Sequence, residues 1–181
     1  VDGDGRPDLV FPTGPGEPIR LELNGRGGLF TLRAIPKPRD LSCYGAVLFD
    51  ADNDGDLDLF VAGSGSRFYL NDGAGRFTDA AAEAGLGGLA LRDGRAVAAA
   101  DLDGDGDLDL VVTSNGGRPL LLRNEGGHRN HWLGIDPRGL NSNKDGIGAR
   151  IEVQSGARWQ RRESAAGSGY LSQSPAAVHF G

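Results

Sequence analysis

The sequence predicts an all-β fold, in which about three β-propeller-like blades are followed by a small β-domain. A tripeptide, Asp-Leu-Val or Asp-Leu-Phe, recurs at residues 8, 58 and 109, with spacings of 50 and 51 residues. Each copy opens a short apolar run, and 31 glycines among 181 residues mark frequent tight turns. A period near 50 residues with several strands in each unit is typical of propeller blades.

The repeating unit predicts an antiparallel meander. An apolar strand follows the tripeptide, and a turn leads to a second strand that ends just before an Asn; a glycine-rich turn comes next. In two copies an aromatic residue, Phe30 or Phe77, then opens a third strand. The predicted first strands are 9–11, 57–62 and 108–113, the second strands are 19–23, 67–70 and 120–123, and the glycine-rich turns are 25–28, 73–75 and 126–127.

One short helix is predicted at about 79–84, with Thr78 or Asp79 as its N-cap and Gly85 as its stop signal. Three repeats are too few to close a propeller, which needs about four to eight blades. We therefore expect further blades upstream of Val1, or blades supplied by another chain. The chain lacks a starting methionine and a signal peptide, which indicates a fragment of a longer protein.

Aspartate-rich loops precede the strands. Residues 50–58 and 101–109 both fit D-x-D-x-D-G-x-x-D, and residues 2–8 match the same pattern from its third position. Thirteen of the 25 acidic residues lie in these loops, and like charges this close repel unless a cation offsets them. The predicted metal-binding residues are Asp2, Asp4, Arg6 and Asp8; Asp50, Asp52, Asp54, Asp56 and Asp58; and Asp101, Asp103, Asp105, Asp107 and Asp109.

The pattern indicates Ca²⁺, a hard cation that takes six to eight oxygen ligands. Alternate aspartates direct several carboxylates inward, and glycine at position 6 permits the sharp turn. Position 7 supplies a backbone carbonyl, so Arg6 is acceptable there, and the aspartate at position 9 closes the shell. Mg²⁺ prefers few protein ligands, and Zn²⁺ prefers His and Cys, which these loops lack.

Two other interpretations compete with a calcium site in a β-hairpin. An EF-hand needs glutamate at position 12 and flanking helices, whereas Val61 and Val112 stand there within β-rich runs. A solvated acidic turn without an ion is the second alternative. Repetition of the loop in register with the strands argues against it.

The loops resemble the FG-GAP or VCBS repeats of integrin-like β-propellers over residues 1–128. This resemblance implies Ca²⁺ bound in hairpin loops on one face of a seven-bladed propeller. It also implies that the ion is structural and that the partner-binding surface lies elsewhere.

The pattern changes at about His128, and residues 129–181 are predicted to form a second, small β-domain. Alternation over 149–153 and 158–163 predicts a hairpin that turns at Ser155 and Gly156. The motifs NHWL at 130–133, SNKDGIGAR at 142–150, GYLSQS at 169–174 and HFG at 179–181 resemble the ASPIC/UnbV domain of cartilage-acidic-protein-like and bacterial secreted proteins. The resemblance implies an incomplete copy of that domain and assigns no catalytic residues.

Five residues that could carry chemistry are expected to have structural roles. His131 and His179 lack a catalytic partner at recognisable spacing, so we expect packing or hydrogen bonding. Trp132 and Trp159 are expected in the core or half-buried. Cys43, the single cysteine, is expected to be a small apolar residue in a strand.

Charged residues of the second domain are also expected to have structural roles. Lys144 and Asp145 are expected to satisfy a turn. Arg158, Arg161 and Arg162 could meet an acidic partner, but a solvated strand face is the preferred interpretation.

Composition and motifs limit the classes of function that this chain could have. A net charge of −6 disfavours nucleic acid and anionic membranes as partners, no apolar run is long enough to span a bilayer, and no catalytic motif occurs. The sequence favours a non-enzymatic, extracellular or periplasmic calcium-binding module that contacts a protein or glycan. Alternatives are a subunit of a larger secreted assembly, and an enzyme or biosynthetic accessory that uses His131, Lys144 and Tyr170.

Overall fold

The structure is a computed structural model that describes residues 1–88, 93–126 and 129–181. Within these ranges the chain forms fourteen β-strands and no α-helix, which confirms the all-β prediction. The predicted domain boundary at His128 and the turn residue Gly127 lie outside the described residues. The strands are β1 (Leu9–Phe11), β2 (Ile19–Asn24), β3 (Phe30–Ile35), β4 (Cys43–Phe49), β5 (Asp58–Gly63), β6 (Arg67–Asn71), β7 (Phe77–Asp79), β8 (Gly94–Ala100), β9 (Asp109–Ser114), β10 (Leu120–Leu122), β11 (Leu133–Ile135), β12 (Arg150–Ser155), β13 (Arg158–Glu163) and β14 (Val178–Phe180).

The second repeat forms a four-stranded antiparallel sheet in the order β4-β5-β6-β7. Each strand pairs with the next one along the chain, as expected for a propeller blade. Its aspartate loop connects β4 to β5. The first strand, β4, was predicted only in that Cys43 was expected to lie in a strand, although its residues alternate between buried and more exposed positions.

The first and third repeats form three-stranded sheets, in the orders β1-β2-β3 and β10-β9-β8. Strand β8 precedes the third aspartate loop as β4 precedes the second, and it was not predicted. The predicted second strands and the third strands that open at Phe30 and Phe77 are confirmed. The three sheets are therefore blade-like units built on one plan.

Two apolar clusters hold the three sheets together. In the first, Leu21 of the first sheet packs with Leu59 and Tyr69 of the second. In the second, Phe60 packs with Val112 of the third sheet. Successive residues of β5 point to opposite faces of the second sheet, and the first and third sheets cover those two faces. All six residues of β5 are therefore buried. Each fully buried aliphatic or aromatic side chain contributes about 1.5–3 kcal/mol.

The outer faces of this stack are apolar and exposed. Leu9 and Phe11 are 45% and 44% exposed, whereas their equivalents in the second repeat, Leu59 and Val61, are fully buried. On the other side of the stack, Leu121 is also exposed. The described residues thus form an open stack, and these faces have the composition of a blade-to-blade contact.

The predicted helix at 79–84 is wrong, because this segment forms a single helical turn. The Ala84 amide donates to the Ala80 carbonyl at 2.9 Å, and Asp79 accepts from the Ala81 amide at 3.0 Å, as an N-cap does. Gly85 adopts φ +73°, which ends the turn. The capping signals were correct, but the segment is too short to add a second turn.

The C-terminal module (residues 129–181) contains two small antiparallel pairs of strands. Strand β11 pairs with β14, and β12 pairs with β13 in the hairpin predicted at Ser155 and Gly156. Lys144 and Asp145 lie in a turn, as expected. In the part of the chain that the structure covers, no helix is long and apolar enough to cross a membrane.

Candidate metal centre

The aspartate loops are termed loop 1 (residues 1–8), loop 2 (50–58) and loop 3 (101–109). Loops 2 and 3 are closed by the same hydrogen bond. Asp50 Oδ2 accepts from the Gly55 amide at 2.9 Å, and Asp101 Oδ2 accepts from the Gly106 amide at 3.1 Å. Gly55 and Gly106 have φ of +86° and +93°, the left-handed region that favours glycine. The first aspartate and the glycine at position 6 together curl each loop.

The aspartate at position 9 fastens the base of each loop. Asp58 accepts from the amides of Ala51 and Asn71 at 3.0 and 2.9 Å. Asp109 accepts from Leu102 and Asn124 at 3.2 and 2.8 Å. In loop 1, Asp8 accepts from the Asn24 amide at 2.8 Å and from the backbone nitrogen of Val1 at 2.9 Å. These carboxylates therefore anchor the loop backbone to the following strands.

The carboxylates at positions 1, 3 and 5 converge in two of the loops. One oxygen atom each from Asp50, Asp52 and Asp54 lies within 4.8 Å of the others, and the same holds for Asp101, Asp103 and Asp105. Two ligands on opposite sides of a Ca²⁺ ion stand about 4.6–5.2 Å apart, because each Ca–O distance is about 2.3–2.6 Å. The separation suits one shared cation in each loop.

Electrostatics in loop 2 also favour a cation. Burial, reinforced by the neighbouring charge of Asp54, raises the pKa of Asp50 to about 6, and burial raises the pKa of Asp58 to about 7. Burial raises the pKa of Asp52 as well, and its buried Oδ1 has no hydrogen-bond partner among the described residues. A bound cation would relieve all three effects, so these donors fit a hard metal ion.

The remaining predicted ligands lie outside the two groups of three carboxylates. At position 7, the Asp56 carboxylate pairs with Arg158, and Asp107 is fully buried beside the Asn53 amide. Their positions agree with the idea that this position contributes a carbonyl rather than a side chain. In loop 1, the guanidinium of Arg6 pairs with Asp4.

In loop 1, the Asp4 amide donates to Asp2 Oδ1 at 3.2 Å, the same turn that Asp105 makes on Asp103 in loop 3. The described residues of loop 1 do not form a group of three carboxylates. The sequence begins at the second position of loop 1, so the first aspartate of the pattern is not included, and the residues present share the local turn of loop 3.

The asparagine that ends each second strand has a role that sequence reasoning missed. The Asn71 side-chain amide donates to the carbonyls of Leu57 at 3.0 Å and Val1 at 2.9 Å. Asn124 repeats this with Ala51, at 2.7 Å. Asn71 and Asn124 thus link their own blades to the loop of the preceding blade, whereas Asn24 donates to the Pro7 carbonyl of its own loop. Its recurrence at 24, 71 and 124 was the available signal.

The C-terminal module lies against loop 2, which corrects one prediction. Arg158 donates to the Asp54 carbonyl and pairs with Asp56, and Arg162 donates to the Gly55 carbonyl. Alternation in β13 directs both side chains to one face. The predicted solvated face is therefore wrong for Arg162, which is half-buried against loop 2, whereas Arg158 stays about half exposed and pairs with an acidic residue of the same chain.

Of the aromatic, histidine and cysteine residues considered above, some lie where they were predicted and others do not. His179 Nε2 lies 2.6 Å from Asn53 Oδ1, its ring stacks on Trp132, and burial lowers its pKa. Trp159 is 62% exposed, so its predicted burial is wrong, because it lies on the face of β13 opposite Arg158. Cys43 is buried in β4, as predicted, and burial raises its pKa to about 11.

A cleft of about 630 Å³ separates loop 1 and part of loop 2 from strand β13. Gly55, Asp56 and Arg158 line it, but the three converging carboxylates of loop 2 do not. His131, Lys144 and Tyr170 are all exposed and also lie outside its lining. The cleft therefore does not bring together the residues considered for an enzymatic role.

Comparison with protein families agrees with this architecture. The family model of the FG-GAP-like repeat matches residues 1–61 and 50–112, and the model described as ASPIC and UnbV matches residues 139–181. A comparison with curated proteins gives no match. The first model covers more than half of the chain and includes all three aspartate loops, so the chain belongs to the FG-GAP-like repeat family and carries an ASPIC and UnbV domain behind its repeats.

Proposed function

We propose that this chain is a non-enzymatic, calcium-binding interaction module in which Ca²⁺ stabilises the blades. The observation that carries the proposal is the repetition of one converging carboxylate group in two loops with matching hydrogen bonds. A chance acidic turn has no reason to recur with the same closure in successive blades. Bound ions would join the strand ends that the loops connect.

In loop 2, the ion would be held by the carboxylates of Asp50, Asp52 and Asp54, the carbonyl at position 7 and the anchored carboxylate of Asp58. In loop 3, the corresponding carboxylates belong to Asp101, Asp103, Asp105 and Asp109. The all-oxygen donor set favours Ca²⁺ over Zn²⁺, and the number of protein carboxylates favours Ca²⁺ over Mg²⁺.

An extracellular or periplasmic location follows from the same chemistry. FG-GAP-like repeats typically occur in extracellular proteins. Exposed aspartate loops of extracellular modules commonly bind Ca²⁺ with dissociation constants of about 10⁻⁴–10⁻³ M, a concentration that the cytosol does not reach. We infer that the module works where calcium is abundant.

The partner of the module would be a protein or a glycan. The exposed ring of Trp159, together with the exposed Tyr170, offers aromatic surface of the kind that protein and sugar contacts use. Binding of candidate proteins and glycans to the Trp159→Ala variant tests this. The variant should lose retention and keep its melting temperature, whereas unchanged retention would place the contact elsewhere.

A second candidate function, a subunit of a larger secreted assembly, is favoured by the outer faces of the stack. Leu9, Phe11 and Leu121 are exposed although equivalent residues between the blades are buried. Sedimentation velocity with and without calcium distinguishes the two functions. Self-association that Phe11→Ser abolishes would favour the assembly, and a monomer at all concentrations would favour the interaction module.

Thermal unfolding of the chain in about 5 mM Ca²⁺ or in excess EGTA tests the main proposal. With the affinities above, each ion should stabilise the fold by about 1–2 kcal/mol, which raises the melting temperature by about 2–8 °C. Mg²⁺ should give a smaller rise. The double variant Asp54→Ala and Asp105→Ala should lose the response, and Asp136→Ala, outside the loops, should keep it. No calcium-dependent rise in the unmodified chain would refute the proposal.

A further inference from the structure

Loop 2 is held from outside by the C-terminal module along most of its length. Asn130 donates to the Asp52 carbonyl at 2.9 Å, and His179 Nε2 lies 2.6 Å from Asn53 Oδ1. Arg158 donates to the Asp54 carbonyl, and Arg162 donates to the Gly55 carbonyl at 3.2 Å. Four successive residues between positions 3 and 6 are therefore fixed by side chains of one module.

Close packing supports these hydrogen bonds. Gln160 lies so near Gly55 that a Cβ there would stand 2.7 Å from its Nε2 atom. The Gly181 carbonyl accepts from Gln160, and a Cβ at Gly181 would collide with Asn53 and would lie 2.6 Å from Asp50 Oδ2. The backbone of loop 2 cannot move outward without displacing the module.

Loop 3 has the same sequence pattern but a different environment. The ring of Trp132, from the module, packs against loop 3 at the position that a Cβ of residue 106 would occupy. The side chains of Asp103 and Asp105 in loop 3 are exposed. The guanidinium of Arg123 bridges these two carboxylates, at 2.6 and 3.7 Å. A cation entering loop 3 would have to displace Arg123, whereas the equivalent position beside loop 2 is Leu70.

We propose that the C-terminal module braces loop 2 and makes it the tighter and slower of two unequal calcium sites, with Arg158 as the main positioning residue; this inference rests on the proposed calcium binding. Release of an ion requires the loop backbone to open. In loop 2 that motion breaks several hydrogen bonds to the module, whereas the contact described between loop 3 and the module is packing against the ring of Trp132. Loop 3 should therefore release its ion first.

Arg158 has two opposite effects on the rate at which loop 2 releases its ion: its hydrogen bonds slow release, and its positive charge speeds release. A guanidinium beside the loop repels the ion, so its removal should slow release if charge dominates. Arg158 is about half exposed and bonds two acceptors, Asp54 and Asp56. Solvent weakens both effects, but it weakens the repulsion across the loop more than the direct contacts with Asp54 and Asp56, so bracing should dominate.

Stopped-flow release from the calcium-loaded full chain into a fluorescent chelator tests the inference. Two phases are expected: Asp105→Ala should abolish the fast phase and Asp54→Ala the slow one. Arg158→Ala and Arg158→Lys should both speed the slow phase, by about tenfold, because lysine keeps the charge but not the two-pronged contact. The fast phase, and both phases of the control variant Arg150→Ala, should be unchanged.

Asn130→Ala provides a second test, because this exposed residue contributes its contact to loop 2 without altering charge. It should also speed the slow phase alone. The inference is overturned if the slow phase belongs to loop 3, if Arg158→Lys behaves as the unmodified chain, or if Arg158→Ala slows release. Absence of any calcium release would instead refute the proposed function.

Discussion

The Asn124 side-chain amide donates a 2.7 Å hydrogen bond to the main-chain carbonyl of Ala51, 73 residues earlier in the chain. Ala51 is the second residue of loop 2, so the third blade holds the loop of the blade before it. Asn71 makes the equivalent bond to Val1 in loop 1. The aspartate loops are thus parts of the contact between blades as well as candidate metal sites.

This relationship predicts that Asn124→Ala and Asn71→Ala each destabilise the chain by about 1–3 kcal/mol, because a carbonyl within the contact loses its donor. Urea unfolding in calcium measures the change. Asn141→Ala, at an exposed turn, is the control and should alter stability little. Equal midpoints for all three variants would mean that these bonds add nothing to the contact between blades.

Removal of Arg123 should strengthen calcium binding at loop 3. Arg123→Gln removes a guanidinium that pairs with Asp103 and Asp105. Because the arginine side chain is more than half exposed, the gain in calcium-binding free energy is about 0.2–1 kcal/mol, which is up to about fivefold in affinity. Isothermal titration calorimetry of the Asp54→Ala background isolates loop 3. Arg118→Gln, an exposed arginine of the same blade, is the control, and weaker binding in Arg123→Gln would contradict the expectation.

Alanine substitutions at two glycines of loop 3 distinguish the energetic cost of backbone strain from the cost of a collision with the module. Gly104 and Gly106 have similar φ, +81° and +93°, so alanine at either costs about 1–2 kcal/mol. Only a Cβ at Gly106 meets Trp132, and Gly104 has open space. Gly106→Ala should therefore be the more destabilising and should shift tryptophan emission to longer wavelength. An emission change in Gly104→Ala of the same size would argue against this contact.

The Cys43 thiol should be unreactive in the folded chain. Burial raises its pKa to about 11, so at pH 8 the thiolate that attacks disulfide reagents is scarce as well as enclosed. Titration with an aromatic disulfide should give slow reaction in buffer and one rapid equivalent in denaturant. A rapid equivalent in the folded chain would show that the β4 edge opens readily.

Much of the blade plan follows from local sequence. The apolar run around Leu59 and Phe60, the terminal asparagines and the glycines at position 6 each act within a few residues, so they predict strands and loop curvature without knowledge of the fold. The helical segment after Asp79 shows the limit of such signals. Its cap formed, but a single turn gains too little to become a stable helix.

Local sequence is enough to establish the repeat, the all-β class and the convergence of Asp50, Asp52 and Asp54, because one curled loop carries all three carboxylates. The contact of Arg158 with Asp56, 102 residues away, and the outward orientation of Trp159 depend instead on how the strands pack. The reason is that a strand pattern shows which residues share a face but not which partner covers it. Two loops of one pattern therefore acquire different surroundings, and with them the different behaviour that we propose.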